Sequence, residues 1–199
     1  MGRITIVQAA DPYMEKEAAC TKRRAEDMGY DYLFYPLSPS TDTERNSSKF
    51  IPCKFKPGII LDALDRIPGG ILVYLDADVA LVKPLEIGPF DLAYCLRPED
   101  EIDQNRGQPD VGTVNTGILF FSKNAIPFVE KWLSDCTTET TEQRSFNRLI
   151  GGPLPPAIDV QILPRKYYHA YIPTSEAHLV HYKGGNAHQI HQFCEDCDA

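Results

Sequence analysis

The sequence predicts an α/β domain with a largely parallel central sheet, and three observations carry that prediction. The chain opens β-α-β, the order of a parallel strand pair joined by a crossover helix. Ile71 to Leu75 is a continuous apolar run, as in a central strand buried on both faces. Between and after these stretches, apolar residues recur at helical spacing.

Arg3 to Gln8 reads as a buried first strand. Asp11 as N-cap and Pro12 at the first helical position open a helix, with Glu15 and Glu17 early and Lys22, Arg23 and Arg24 late, as the helix dipole favours. Gly29 closes it, and Asp31 to Tyr35 is the second strand. Residues 36 to 50 carry Pro, Ser, Asn and Asp and mark a loop. Ile59, Ile60, Ala63, Leu64 and Ile67 then predict a helix ending at Pro68-Gly69-Gly70, and Asp76-Ala77-Asp78 lies just past the apolar strand that follows. Asp91 to Leu96 is another strand, followed by a long polar loop over 97 to 113. Val114 to Phe121 resumes the sheet, and Ala125, Phe128, Val129, Trp132, Leu133 and Cys136 mark an amphipathic helix. A helix near Glu142 to Ile150 and short strands near Asp159 to Leu163 and His178 to His181 complete the expected order.

A chain of 199 residues suits one domain. The expected division is a first part over about 1–96 and a second part over about 97–199. The net charge of −8 argues against nucleic acid as a partner, because such binding displaces counterions with clustered Lys and Arg. No signal peptide is visible at the start. No run of about 18 apolar residues predicts a transmembrane segment, so the expectation is a cytoplasmic protein or a soluble module of a larger one. Cys20, Cys53, Cys95 and Cys136 are scattered through mostly apolar stretches and read as reduced core residues. His188, His191, Cys194 and Cys197 recur every three residues near the end. They offer zinc ligands, against the plainer reading of a polar terminal helix.

The motif that carries chemistry is Asp76-Ala77-Asp78. Two carboxylates at the end of a buried strand sit where open α/β sheets bind ligands. Burying two unpaired anions costs several kcal/mol. A hard divalent cation, Mn²⁺ or Mg²⁺, offsets that cost by taking carboxylate oxygens and bridging to phosphate. The plain alternative is a pair of turn or capping aspartates, and Asp196-Cys197-Asp198 on the polar tail shows how common the tripeptide is.

Leu72-Val73-Tyr74-Leu75-Asp76-Ala77-Asp78-Val79 resembles the DxD strand of GT-A glycosyltransferases, and four more segments agree in order. Ala9-Ala10-Asp11 follows the first strand, where such enzymes hold the base and ribose. Asn115-Thr116-Gly117-Ile118-Leu119 is similar to their strand at the donor sugar. Glu142-Gln143-Arg144-Ser145-Phe146-Asn147 resembles a helix start of the superfamily, and His181-Tyr182-Lys183-Gly184-Gly185 its late segment. The likeness is nearest to the retaining group of galactosyltransferases, glycogenin-like enzymes and plant cell-wall transferases.

That resemblance implies a Rossmann-like sandwich with a mixed, mostly parallel sheet, and a glycosyltransferase moving a sugar from a nucleotide-diphosphate donor, a UDP-sugar above all, to a hydroxyl acceptor such as a glycan. It implies Asp76, Asp78 and His181 as metal ligands, with Ala9, Ala10, Asp11, Lys54, Lys56, Asp76, Ala77, Asn115, Thr116, Gly117, Lys183 and Gly184 around the donor. Relatives carry a Lys six residues after the metal His where this chain has Ala187, which leaves Lys183 or His188 for that duty. Glu142 and Gln143 would flank the donor sugar as catalytic residues, through electrostatic positioning or nucleophilic attack. Asp100, Asp103 and Asp110 in the polar loop are acceptor-side candidates, and one of them would be the base if the enzyme inverted. Two other readings share the architecture. A sugar nucleotidyltransferase would want a glycine-rich loop after the first strand, which Ala9 to Met14 does not supply. A non-catalytic sugar-nucleotide or glycan-binding module would keep the same metal site.

Overall fold

The computed structural model describes residues 2–38, 54–99, 101, 112–136, 141–155, 158–182 and 189–190. Their elements are β1 (Ile4–Ala10), α1 (Glu15–Asp27), β2 (Asp31–Pro36), α2 (Phe55–Arg66), β3 (Ile71–Asp76), β4 (Val79–Leu81), β5 (Leu92–Leu96), β6 (Val114–Phe121), α3 (Ile126–Asp135), α4 (Glu142–Ile150), β7 (Val160–Ile162), α5 (Arg165–Tyr168) and β8 (Leu179–His181).

Six strands form one sheet in the order β2-β1-β3-β6-β5-β7. Pairs β1–β2, β1–β3 and β5–β7 are parallel, whereas β6 runs antiparallel to both β3 and β5. The sheet is therefore mixed and mostly parallel. The apolar runs follow from burial of both faces: in β3, Leu72 and Tyr74 face one core while Val73 and Leu75 face the other. Helices α2, α3 and α4 cover the first face, centred on Trp132 and Phe146, whose rings meet edge to face at 5.0 Å. On the second face lie α1, α5 and a separate two-stranded sheet, β4 paired antiparallel with β8.

Two expectations need correction. The first helix begins at Glu15, because the Asp11 carboxylate accepts the backbone N–H groups of Tyr13 and Met14 and so closes a turn ahead of the helix. Asp11 thus caps a turn, and Pro12 lies within it. Cys20 and Cys136 are buried but disulfide-bonded, not reduced. They belong to different hydrophobic clusters. Cys95 is free and buried, and burial pushes its thiol up to about 12. Cys53, His188, His191, Cys194 and Cys197 lie outside the described residues. Among the described residues no helix is long and apolar enough to cross a membrane.

Candidate active site

Strand β3 delivers Asp76 to the C-terminal edge of the sheet, and a two-residue turn carries Asp78 into β4. There the second, smaller sheet brings in a residue a hundred positions away. Val79 pairs with His181, and the Tyr182 N–H donates to the Asp78 carbonyl at 2.8 Å. The side chains of Asp76, Asp78 and His181 each offer one ligand atom, and these atoms lie within 4.8 Å of one another. His181 Nε2 stands 3.1 Å from Asp78 Oδ1.

The floor of the cluster is Gly117 on β6. A Cβ there would stand 2.5 Å from His181 Cε1, 2.9 Å from Asn115 Oδ1 and 3.0 Å from Asp76 Oδ2. A side chain at 117 would fill the space into which the imidazole and the carboxylate converge. The Gly117 N–H donates to Asn115 Oδ1 at 2.8 Å, fixing the turn of that amide.

Lys56 reaches up from the first turn of α2 and is buried. Its Nζ lies 2.9 Å from Asp76 Oδ1, 3.4 Å from Glu142 Oε1 and 3.1 Å from the Thr116 carbonyl, above the Tyr74 ring. Desolvation would pull its ammonium pKa down, but Asp76, Tyr74 and Glu142 outweigh it and raise the pKa, so Lys56 is a buried cation. Burial likewise raises the Asp76 carboxyl above its ordinary value; Lys56 opposes this, Asp78 reinforces it and His181 opposes it. Three carboxylates, Asp76, Asp78 and Glu142, thus face one lysine. The excess negative charge, the two-carboxylate-plus-imidazole donor set and the room kept by Gly117 fit a hard divalent cation.

Helix α4 supplies the opposite wall. Thr141 caps it, its hydroxyl accepting the Arg144 N–H, and Asn147 pins it to β6 by accepting the Val114 N–H at 2.8 Å and donating to the Val114 carbonyl at 2.9 Å. That registry sets Glu142 and Gln143 against Thr116, whose hydroxyl donates to Glu142 Oε1 at 3.3 Å. Gln143 Oε1 accepts from Arg97 at 2.9 Å and from the Thr116 N–H at 3.4 Å. Both partners are donors only, so the atom facing them is the amide oxygen.

Among the residues expected from sequence, Asp76, Asp78, His181, Lys56, Asn115, Thr116, Gly117, Glu142 and Gln143 come together. Ala9, Ala10 and Asp11 lie buried at the same end of β1, Ala9 in register with Asp76. Ala77 sits in the turn between the two aspartates. Lys54 is exposed at the start of α2, away from the burial that Lys56 shares with Asp76. Lys183 and Gly184, and the acceptor-side candidates Asp100, Asp103 and Asp110, lie outside the described residues.

Several neighbours were not legible in the sequence. Gln8 is fully buried and donates to the Asp76 carbonyl at 3.1 Å, itself held by the Tyr32 hydroxyl. Arg97 links Gln143 to Glu101, and the Tyr171 hydroxyl closes that chain on Glu101 at 3.2 Å. His169 is buried against His181. Gln8, Arg97 and Tyr171 reach Asp76, Gln143 and Glu101 across tens of residues and His169 reaches His181 across twelve, with no local pattern, except that Gln8, a polar residue inside a buried strand, marks itself as a group in need of a partner.

No family model and no curated protein matches this sequence. Solved structures do. A glycosyltransferase involved in the glycosylation of the major capsid of PBCV-1 superposes with a TM-score of 0.67 at 19% identity, over 98% of this chain and 99% of its own. The chain has the GT-A fold. Two further GT-A structures agree. The galactosyltransferase LgtC, solved with donor and acceptor sugar analogs, gives a TM-score of 0.52 at 14% identity over 96% of this chain and 95% of its own. GlyE from Streptococcus pneumoniae TIGR4 gives 0.57 at 11% identity, over 98% of this chain and 60% of its own.

Proposed function

We propose that this chain is a metal-dependent glycosyltransferase that moves a sugar from a nucleotide-diphosphate donor, most simply a UDP-sugar, to a hydroxyl acceptor with retention of configuration. The observation that carries the reading is the convergence of Asp76, Asp78 and His181 beside Lys56, Glu142 and Gln143 at the C-terminal edge of the sheet. Likeness to glycosyltransferases, one of them solved with donor and acceptor sugar analogs, supports it.

In this reading Asp76, Asp78 and His181 hold Mn²⁺ or Mg²⁺, which when bound supplies Lewis-acid stabilisation of the departing diphosphate. Ala9, Ala10 and Asp11 receive the nucleoside end, with Lys183 and Gly184 at the diphosphate. Asn115, Thr116 and Gly117 form the wall against the sugar. Lys56 ties Asp76 to Glu142, so the metal ligand and the catalytic helix keep one spacing. Glu142 holds its negative charge toward the sugar, where an oxocarbenium-like centre develops. Arg97 and the Thr116 N–H occupy the oxygen of Gln143, which lowers its nucleophilicity and supports electrostatic stabilisation over a covalent intermediate on that residue. The division into a nucleotide-binding part over about 1–96 and an acceptor-side part beyond it follows the same logic.

The test is a donor screen with Mn²⁺ that follows release of the nucleoside diphosphate, with and without oligosaccharide acceptors. The expected result is turnover of one nucleotide-sugar class, abolished by EDTA and reduced at least ~100-fold in Glu142→Gln. A glycosyl adduct trapped on Glu142 and seen by mass spectrometry would overturn the electrostatic mechanism. No turnover of any donor, with nucleotide binding intact, would reduce the chain to a binding module.

A further inference from the structure

We propose that His169 is a positioning residue that fixes the imidazole of His181 for metal binding, through a histidine–histidine hydrogen bond. The inference rests on the metal site proposed above and deepens it. His169 Nε2 lies 2.9 Å from His181 Nδ1, and His169 is 2% exposed. The opposite nitrogen of His181, Nε2, is the one that points to Asp78 Oδ1.

An imidazole that gives Nε2 to a cation carries its proton on Nδ1. The atom in reach of that proton is His169 Nε2, which must then be the acceptor, leaving the proton of His169 on its own Nδ1. This is the place that a carboxylate, carbonyl or water takes behind most metal-bound histidines. Here a second histidine takes it.

The backbone is arranged to hold the pair. The His181 N–H donates to the Ala170 carbonyl at 2.8 Å, and the Ala170 N–H donates to Leu179, so the segment carrying His169 runs beside β8 as a bridged neighbour. The His169 N–H caps α5 by donating to the Arg165 carbonyl at 2.8 Å. The two rings meet edge to edge, with centroids 5.0 Å apart and planes 28° from parallel, and Tyr171 packs edge-on against both, at 5.4 Å from His169 and 6.3 Å from His181. Tyr171 is in turn held by Glu101, the residue bound to Arg97. His169 and Tyr171 together therefore join His181 to the network that reaches Gln143.

Two substitutions separate hydrogen bonding from packing. His169→Phe keeps an aromatic ring against Tyr171 but has no acceptor, and His169→Gln keeps an amide oxygen near the position of Nε2 but has no ring. Mn²⁺ binding is followed by the loss of the free-ion signal in electron paramagnetic resonance, with His181→Ala as reference and thermal melting without metal as a control on folding. The expected result is a ~10- to 100-fold loss of Mn²⁺ affinity in His169→Phe and affinity within a few-fold of the parent in His169→Gln. Parent-like Mn²⁺ affinity in His169→Phe would overturn the proposal while leaving the metal site standing. So would equal weakness of both variants at unchanged melting temperature. A parent protein that binds Mn²⁺ no better than His181→Ala would overturn the metal site itself, and this inference with it. On the parent protein alone, long-range ¹H–¹⁵N spectra with Mg²⁺ should show the His181 proton on Nδ1; a proton on Nε2 would contradict the assignment.

Discussion

Gly117 occupies a position where a single methyl group has a local and readable effect. Gly117→Ala places a Cβ inside contact distance of His181 and of Asp76, and both are side chains that can rotate away without unfolding the sheet. The expected result is an intact far-UV spectrum with Mn²⁺ affinity reduced at least ~10-fold, checked by titration. Asp91 belongs to the other end of the molecule. The Asp159 N–H, with help from Ser122 and Asn124, holds its carboxyl below the ordinary carboxylate value. A lowered folded-state pKa stabilises above the unfolded value and is lost as pH falls through the folded one. Asp91→Asn should therefore lower the urea midpoint at pH 7, and the difference from the parent should close below about pH 3.9. The two aspartates that meet His181 were legible in sequence because they are two residues apart after an apolar strand. His181 was legible only through a resemblance, since nothing local ties position 181 to position 76. His169, Arg97 and Gln8 were invisible as site residues because their partners are defined by the fold alone.

At the scale of elements, two couplings set the site. The first is β4 with β8, which converts sequence distance into the Asp78–His181 contact. The strand near His178 to His181 was expected, but the strand character of Val79 to Leu81 and the pairing of the two could not be read in advance, because a three-residue strand carries too little periodicity to separate it from a buried apolar loop. The second is α4 with β6. Asn147 accepts and donates to Val114 and donates to the Gln143 carbonyl at 2.8 Å, so one amide joins the helix to the strand and steadies its first turn. Gly112, at φ +59, approaches so closely that a Cβ would stand 2.2 Å from the Asn147 amide carbon. Removing that amide leaves the Val114 backbone groups without their partners, so Asn147→Ala should cost about 2–3 kcal/mol, read by chemical denaturation. The helices and central strands themselves were legible nearly residue for residue, since their apolar spacing is long and regular. The start of α1 was not, because Asp11 spends its carboxylate on a turn that mimics a helix cap.

For the whole molecule, a doubly covered sheet gathers Lys56, Asp76, Asp78, Glu142 and His181 at one edge. The disulfides at Cys20 and Cys136 bear on where such a molecule folds. Bonds of this kind form and persist in oxidising environments. Alkylation of the denatured, unreduced protein should leave Cys20 and Cys136 unmodified, as peptide mass mapping would show. Reduction should lower the thermal midpoint, by an amount that corresponds to roughly 2–4 kcal/mol per bond. Labelling of Cys20 and Cys136 without reductant would restore the reduced-core reading.

Calorimetry decides whether Asp76, Asp78 and His181 make a cation site that serves a nucleotide diphosphate. UDP is titrated into the parent protein and into Asp78→Ala, with Mn²⁺ present and then with EDTA. Binding that needs Mn²⁺ and is lost in Asp78→Ala is the expected result. UDP binding that is indifferent to EDTA and to the substitution would contradict the account, and so would a failure of UDP, GDP and dTDP alike to bind with Mn²⁺ present.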